Sequence, residues 1–284
     1  MKSTVIEREK HLRSFDDSDA LDALNRLFPY KSVKHVKRLD AGLSNINFYA
    51  ELGNEPCLLK AFNRSLPETA LAIQNKLATQ GVTQSVICID KIERLAVLEY
   101  LIALDIPPVL DTELLEVLVK VHHFSSQCNI VLDLAAEVSK ASKQLDAMEI
   151  GGYLTHKLKQ FPADIRYCHN DLVRENILKT SSGVYLIDFE YAGQNDVFFD
   201  LAALCCSFEL SSSQSVQMLA DYFRLQHVQL PSYAVSKLSV YIGIYLVVSI
   251  AWYESRKVSQ GYDVLYKQFM IWCQQYDLAL PRKA

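Results

Sequence analysis

The sequence predicts an α+β fold of two lobes, with a small antiparallel sheet in the N-terminal lobe and a mainly helical C-terminal lobe. Between residues 33 and 103, apolar and polar residues alternate in short segments, as they do in strands. After residue 108, most of the chain carries the apolar spacing of amphipathic helices. Pro107 and Pro108 stand between the two patterns. We therefore expect an N-terminal lobe over residues 1–103 and a C-terminal lobe over residues 104–284.

The N-terminal lobe is predicted to begin with a short helix over residues 17–28, which has leucines on one face and acidic residues at its start. Three antiparallel strands follow: two lie in VKHVKRLDAGLSNINFYAEL, on either side of Gly42, and the third lies in EPCLLKAF. Gly53 and Asn54 supply the second turn of this meander. Residues 67–80 predict another helix, and SVICIDKIERLAVLEYLI predicts two further strands around residues 92–94.

The C-terminal lobe is predicted to begin with a helix in DTELLEVLVKVHHFSS, with Asp111 or Thr112 as its N-cap. Residues 131–160 and 197–280 are mostly helical in pattern. Two short strands, NILK and VYLID, flank a turn at residues 181–183. The apolar run from Leu238 to Tyr253 is shorter than the roughly 20 residues that a membrane span needs, so we expect a buried helix there.

Composition narrows the range of partners. A formal net charge of -4 offers no basic field for a phosphate backbone, which argues against nucleic acid as a partner. Seven cysteines without a CxxC pair fit free thiols in a reducing compartment. The segment MKSTVIEREKHLRSF lacks the apolar centre of a signal peptide. We expect a cytoplasmic protein without a membrane span, and the sequence leaves its oligomeric state open.

One stretch, HNDLVRENILKTSSGVYLIDFEYA, concentrates polar residues around two apolar runs. A phosphoryl-transfer site needs a carboxylate that orients the attacking hydroxyl and oxygen ligands for Mg²⁺. Asp171 suits the first role, whereas Asn176, five residues later, and Asp188, twelve residues after that, suit the second. A hairpin of the two apolar runs would bring Asn176 and Asp188 to the same end. His169 would support the loop that holds Asp171.

The same chemistry requires a lysine for the nucleotide phosphates. Lys60 stands in the apolar strand CLLKAF, where an ammonium group is costly to bury without an anionic partner. We therefore predict that Lys60 binds phosphate, with a strand lysine that faces solvent as the alternative. ATP and Mg²⁺ are the expected cofactors, and a small alcohol is the expected second substrate.

Two further segments are candidates for nucleotide contacts. The loop in DAGLSNINFY would cover the phosphates, because Gly42 relieves the turn and Ser44 and Asn45 offer polar groups. The segment VLEYLI lies where the two lobes are expected to join. We expect the backbone from Glu99 to Leu101 to meet the adenine.

Together these motifs resemble the choline kinase and aminoglycoside phosphotransferase superfamily, whose members are relatives of the protein kinases. The resemblance runs from about residue 38 to 275 through GLSNINFY, CLLKAF, HNDLVRENIL, LIDFEYAG and FDLAAL. It implies a protein-kinase-like fold, with Asp171 as the catalytic base, Asn176 and Asp188 as magnesium ligands and Lys60 on the phosphates. Asp200 is similar to the buried aspartate that braces the catalytic loop in that family.

Within the superfamily, HND and IDFEYAG are most similar to the choline, ethanolamine and thiamine kinase branches. The resemblance implies ATP-dependent phosphorylation of a hydroxyl on a small, usually cationic alcohol. Glu190, Tyr191, Trp252 and Tyr253 are the candidate contacts for that cation, because carboxylates and aromatic faces attract positive charge. Ordinary core packing is the alternative for each aromatic residue.

Some positions depart from the family pattern. Val173 stands where animal choline kinases carry glutamine, and Ser207 stands where they carry an acidic choline contact. Glu68 and Gln74 are both candidates for the residue that pairs with the nucleotide lysine, and the sequence does not choose between them. An aminoglycoside or other antibiotic phosphotransferase is one alternative function. A nucleotide-binding pseudokinase is the alternative of another class, although the intact motif residues argue against it.

Overall fold

The computed structural model describes residues 15–40, 44–125, 128–259 and 261–280, and these form two compact units. The first unit runs to residue 105 and also contains residues 180–190. The second unit contains residues 106–179 and the chain from residue 191 onward. The domain boundary expected at residues 103 and 104 stays a prediction. The structure adds that Thr180–Glu190, which contains Asp188, belongs to the first unit.

The first unit is built on a five-stranded antiparallel sheet, which confirms the predicted sheet of the N-terminal region. Helix α1 (Asp17–Leu27) precedes strands β1 (Val33–Leu39), β2 (Ile46–Leu52) and β3 (Glu55–Ala61). Helix α2 (Glu68–Ala78) then leads to β4 (Val86–Asp90) and β5 (Leu95–Glu99). The strand order is β1-β2-β3-β5-β4, so β3 lies at the centre of the sheet.

The two faces of this sheet bury different apolar clusters. Phe48 and Leu59 pack with Leu24 of α1 on one face. Phe62 and Leu98 pack with residues of α2 on the other face. Because successive side chains of a strand point to opposite faces, Lys60 shares the face of α2 and not the face of Leu59.

The second unit is mainly helical, as predicted. Its helices are α3 (Thr112–His122), α4 (Leu134–Gln144), α5 (Met148–Leu158), α6 (Phe198–Ser207), α7 (Ser212–Leu225), α8 (Ala234–Arg256) and α9 (Tyr262–Gln275). Of the two predicted N-caps for α3, Asp111 is the cap, since its carboxylate accepts the Leu114 N–H at 3.0 Å.

Helix α8 is the one helix in the described ranges that is long and apolar enough to cross a membrane by length and composition. Of its most apolar window, 67% is buried inside the protein. It packs against α4, α5, α6 and α9. This burial agrees with the predicted core helix, and the absence of a membrane span stays a prediction.

Four short strands lie in or beside the segment HNDLVRENILKTSSGVYLIDFEYA along the chain. Strands β7 (Ile177–Thr180) and β8 (Gly183–Leu186) lie where the sequence predicts them. The Thr180 hydroxyl accepts the Ser182 N–H and donates to the Gly183 carbonyl, both at 3.1 Å, and this closes the predicted turn. Strand β6 (Ile165–Cys168) pairs antiparallel with β9 (Gly193–Asp196), and neither was predicted. Both are four residues long without clear alternation, so they lack the usual strand signal.

Candidate functional site

Lys60 and Asp188 form an ion pair in a pocket of the first unit, in which Lys60 is buried and Asp188 is partly exposed. The Lys60 side chain comes from central strand β3, and its Nζ donates to Asp188 Oδ1 at 2.5 Å. Lys60 is only 6% exposed, so the predicted alternative of a lysine facing solvent does not describe it. Leu58, Phe62 and Leu98 line the same pocket. A pocket with apolar side chains, an ion pair and several polar side chains in its lining suits a planar ring that carries anionic groups.

Asp188 directly follows the last apolar residues of the β8 segment, as its motif predicts. Its backbone φ is 65°, in the left-handed region that residues other than glycine rarely adopt. Such a conformation costs about 1–3 kcal/mol and recurs at functional sites.

The structure separates the two candidates for the partner of Lys60. Gln74 of α2 is buried and lines the pocket with Lys60, and its amide donates to the Gln84 carbonyl at 3.2 Å. Glu68 pairs instead with Lys91, and both side chains are largely exposed. The carboxylate that neutralises Lys60 is therefore Asp188, which was predicted as a metal ligand and not as the partner of the lysine.

The predicted phosphate loop is described from Ser44 onward, and Gly42 lies outside the described residues. Asn45 donates through Nδ2 to the Glu190 carboxylate. Asn63, just after β3, donates to the Ser44 carbonyl at 2.7 Å and to Asn45 Oδ1 at 3.3 Å. The described end of this loop is therefore tied to both Asn63 and Glu190, and Glu190 also lines the pocket of Lys60.

Glu99 is the last residue of β5, at the segment predicted to meet the adenine. Its N–H donates to the Ser85 carbonyl at 3.0 Å, and its carboxylate accepts from the Ser85 hydroxyl at 3.0 Å. The Glu99 N–H is thus used by the sheet, so a contact with a base at this residue would use its carbonyl oxygen. The role predicted for Leu101 stays a prediction.

Asp171 and Asn176 contact each other within one short loop of the second unit. A single 3-10 turn, Arg174–Asn176, folds the chain back between β6 and β7. Asn176 Nδ2 donates to the Asp171 carbonyl at 2.8 Å and to Asp171 Oδ2 at 3.0 Å. Because the amide nitrogen is directed at Asp171, the amide oxygen of Asn176 is the atom left to act as a cation ligand.

Asp200, at the start of α6, is buried beneath this loop. Burial alone would raise the pKa of its carboxyl group. The hydrogen bond from His122, the nearby His122 and His169 rings and the backbone N–H of His169 act in the opposite direction and hold the pKa below its ordinary value. The surrounding donors therefore stabilise the carboxylate form of Asp200.

His122, Cys168 and Asp200 are close enough together to be considered as a metal site. Burial raises the pKa of the Cys168 thiol well above its ordinary value. A thiol must lose its proton to bind a metal, and His122 already contacts Asp200 directly at 3.1 Å. This cluster suits hydrogen bonding better than metal binding.

The predicted acceptor residues of the second unit differ in their surroundings. Tyr191 is partly exposed, and its carbonyl accepts the Asn170 side-chain amide at 3.0 Å. The guanidinium of Arg256 lies 4.0 Å from the centre of the Trp252 ring, so one face of this ring already binds a cation of the chain itself. Burial and then the carboxylates of Glu175 and Asp171 raise the pKa of Tyr253.

Sequence reasoning missed several residues of the site. His122 hydrogen-bonds Asp200, and Tyr222 hydrogen-bonds His122. Asn195 Nδ2 donates to Asn170 Oδ1 at 2.9 Å, next to the predicted base Asp171 in the sequence. His122 carried a usable signal, because it continues the buried stripe of α3 at helical spacing and is polar where the stripe is apolar.

Comparison with known proteins agrees with this geometry. A family model for choline/ethanolamine kinases matches residues 32–274. The crystal structure of choline kinase LicA from Streptococcus pneumoniae is similar at a TM-score of 0.75 and 20% identity, covering 90% of this chain and 98% of that one. A choline/ethanolamine kinase family protein from Mesorhizobium loti is similar at 0.73 and 18%, covering 90% and 95%. These likenesses confirm the kinase-like α+β fold.

Two other proteins are similar to this chain at lower structural similarity or over a shorter stretch of sequence. An aminoglycoside phosphotransferase solved with gentamicin is similar at a TM-score of 0.63 and 12% identity, covering 89% of this chain and 96% of that one. Protein LicA of Haemophilus influenzae is 41% identical over 58 residues, which is 20% of this chain. That match spans only 22% of the relative's own length. Since the family model covers most of the sequence, the chain belongs to the choline/ethanolamine kinase family, a family of ATP-dependent alcohol kinases.

Proposed function

We propose that this chain transfers the γ-phosphoryl group of ATP to the hydroxyl of a small cationic alcohol of the choline, ethanolamine or thiamine type, with Mg²⁺ as cofactor. The observation that carries the proposal is the Lys60–Asp188 pair in an apolar pocket. A buried lysine needs an anionic partner, and a polyphosphate is an anion of sufficient charge. Family membership supplies the reaction class.

Lys60 would bind the nucleotide phosphates. In the structure described here Asp188 neutralises it, and a triphosphate would take over that role and release the Asp188 carboxylate. Ser44 and Asn45 would lie over the phosphates, held by Asn63. The carbonyl of Glu99 and the backbone of Leu101 would meet the adenine, and Leu58, Phe62 and Leu98 would pack against apolar parts of the nucleotide.

Asn176 and Asp188 would hold Mg²⁺. One amide oxygen and one carboxylate are oxygen donors of the kind that this hard cation prefers, with water and phosphate oxygens completing its shell. The donor set fits, because Asn176 directs its amide nitrogen to Asp171 and so keeps an oxygen for the cation. When bound, Mg²⁺ neutralises charge that develops on the phosphates.

Asp171 would accept a hydrogen bond from the acceptor hydroxyl and orient it for in-line attack. Catalysis would then consist mainly of positioning and charge neutralisation. Tyr253 remains a proposed acceptor contact, and burial followed by the carboxylates of Glu175 and Asp171 raises the pKa of its hydroxyl. Glu190, Tyr191 and Trp252 remain proposed contacts, with one face of Trp252 already covered by Arg256.

The test is a coupled ADP-release assay with choline, ethanolamine, thiamine and kanamycin, each with and without Mg²⁺. We expect magnesium-dependent turnover with one of the first three alcohols. Turnover of kanamycin alone would instead favour an antibiotic phosphotransferase. ATP binding without turnover of any acceptor would favour a pseudokinase.

The matched variants are Asp171→Asn and Asp263→Asn, which remove one carboxylate each from the second unit. Asp263 is exposed at the start of α9, so its variant should keep full activity. Asp171→Asn should lower kcat by about 100-fold or more while nucleotide binding persists. Retention of most of the rate by Asp171→Asn would contradict the assignment of the base.

A further inference from the structure

Asn45, at the described end of the predicted phosphate loop, uses both halves of its side-chain amide within the first unit. Its Oδ1 accepts the Asn63 N–H at 3.3 Å, and its Nδ2 donates to the Glu190 carboxylate. The Asn63 side chain also donates to the carbonyl of the neighbouring Ser44 at 2.7 Å. Asn45 is therefore held from two directions.

The two partners of Asn45 belong to different segments of the unit. Asn63 lies just after β3, the strand that carries Lys60. Glu190 follows Asp188 in the segment after β8. Lys60, Asp188 and Glu190 all line the pocket of the candidate site. Asn45 thus connects the two segments that supply charged side chains to this pocket.

These partners fix the orientation of the Asn45 amide. A carboxylate only accepts hydrogen bonds and a backbone N–H only donates them, so the amide nitrogen faces Glu190 and the amide oxygen faces Asn63. A hydrogen bond to an ionised carboxylate is stronger than one between neutral groups. The contact with Glu190 is therefore the stronger of the two restraints on the Asn45 side chain.

We infer that Glu190 is a positioning residue for the nucleotide, which holds the described end of the phosphate loop in place through the Asn45 side chain. The inference rests on the proposed function. Glu190 is also one of the proposed acceptor contacts, but the contact that the structure shows is the one with Asn45. A loop that is already ordered costs a ligand less conformational entropy on binding, so loss of this contact should weaken ATP binding.

The experiment compares four single variants and one double variant. Glu190→Ala removes the acceptor, whereas Glu190→Gln removes the charge and keeps an oxygen that can accept from Asn45. Asn45→Ala removes the donor, and the double variant combines the two alanine changes. Glu55→Ala is the matched control, since Glu55 belongs to the same unit, is largely exposed and lies 3.9 Å from Lys31.

We expect Glu190→Ala and Asn45→Ala each to raise Kd and KM for ATP about 10-fold, while KM for the alcohol stays within about 3-fold. The double variant should also lose about 10-fold, because both changes break the same contact. Glu190→Gln should stay within about 3-fold of the parent protein, and Glu55→Ala should match it. A role in folding alone would lower the active fraction and leave Kd for ATP unchanged. That result, losses that multiply in the double variant, or a rise confined to KM for the alcohol would overturn the inference.

Amide hydrogen exchange in the ligand-free protein tests the inference without any turnover, because the Asn63 N–H donates to the Asn45 side chain. We expect Glu190→Ala to speed exchange of this amide by about 5-fold or more and Glu55→Ala to leave it unchanged. If the parent protein phosphorylates none of the alcohols and binds no ATP, the proposed function fails, yet this measurement still decides whether Glu190 holds the loop. Unchanged exchange in Glu190→Ala would overturn that role. If Glu190→Ala does not fold, Glu190→Asp, which shortens the side chain by one methylene group, provides the same comparison.

Discussion

The Lys60–Asp188 pair can be tested by replacing Asp188 with Asn. Asparagine has the same shape and tolerates the left-handed backbone observed at φ 65°, so the change removes charge without adding strain. Lys60 then remains 6% exposed with no carboxylate at 2.5 Å. Breaking a fully buried pair costs about 3–5 kcal/mol. Water relieves part of this cost because the Asp188 side chain is 28% exposed, and we expect about 2 kcal/mol.

The assay is a double-mutant cycle of Asp188→Asn with Lys60→Met, followed by urea unfolding at low ionic strength. The double variant removes both charges. Its loss of stability should therefore be smaller than the sum of the two single losses by about 1–2 kcal/mol. ATP without Mg²⁺ should stabilise Asp188→Asn, because its phosphates return an anionic partner to Lys60.

The matched control is Glu68→Gln, which breaks the Lys91–Glu68 pair. That pair has the same 2.5 Å separation within the first unit, but its side chains are 68% and 51% exposed. An exposed pair contributes at most about 1 kcal/mol, so this variant should change stability little. If the stability loss of the double variant equals the sum of the Lys60→Met and Asp188→Asn losses within about 0.5 kcal/mol, the two residues are not coupled. That result would refute the reasoning from burial.

Three further changes test the packing of the core. Gly243→Ala would bring the new Cβ within 2.3 Å of a Trp272 ring carbon. We expect urea unfolding to show a loss of about 1–3 kcal/mol in the free energy of unfolding. Equal stability would contradict this packing. Burial raises the pKa of Cys57 from 9.0 to about 11, so its thiol stays uncharged in the fold. The protonated Cys57 thiol contributes fully to the free energy of unfolding below about pH 9, and this contribution falls as pH rises towards 11. Cys57→Ala should therefore flatten the plot of unfolding free energy against pH in that range. An unchanged slope would count against burial of the thiol as the cause. Lys237→Met removes the ammonium group that lies 2.6 Å from the buried Asp196 carboxylate and leaves that charge without its ion-pair partner. We expect the free energy of unfolding to fall by about 3–5 kcal/mol. A loss below about 1 kcal/mol would show that the pair is dispensable.

Much of the fold follows from local patterns in the sequence. Strands β1, β2 and β3 were predicted because alternation and turn residues act over a few positions, and β2 indeed buries every second side chain. Helix α3 was predicted from its spacing, with Asp111 as one of two possible caps. These patterns depend only on residues that are close in the sequence, so they predict strands and helices without knowledge of the tertiary structure.

Long-range contacts could not be predicted in the same way. Asp200 meets His122 across 78 positions and the His169 N–H across 31, and no spacing rule joins such residues. Strands β6 and β9 pair with each other, yet β6 is too short to show a clear alternation and β9, with the sequence GQND, is rich in residues that are rare in strands. By contrast, the Arg256 contact with Trp252 could be predicted from the sequence, since residues four apart lie on the same helix face.

A charged residue within an apolar run predicts a buried partner, but it does not by itself predict a functional site. Lys237 and Lys60 both fit this pattern, and each reaches an aspartate within 2.6 Å. Lys237 also donates to a backbone carbonyl at 2.7 Å and lies 4.3 Å from the Phe198 ring centre, so the core of the second unit satisfies it. Lys60 lines an open pocket, and its partner Asp188 lies in the same pocket on a strained backbone. The pocket, and not burial alone, therefore distinguishes the lysine suited to a ligand from the lysine that stabilises the fold.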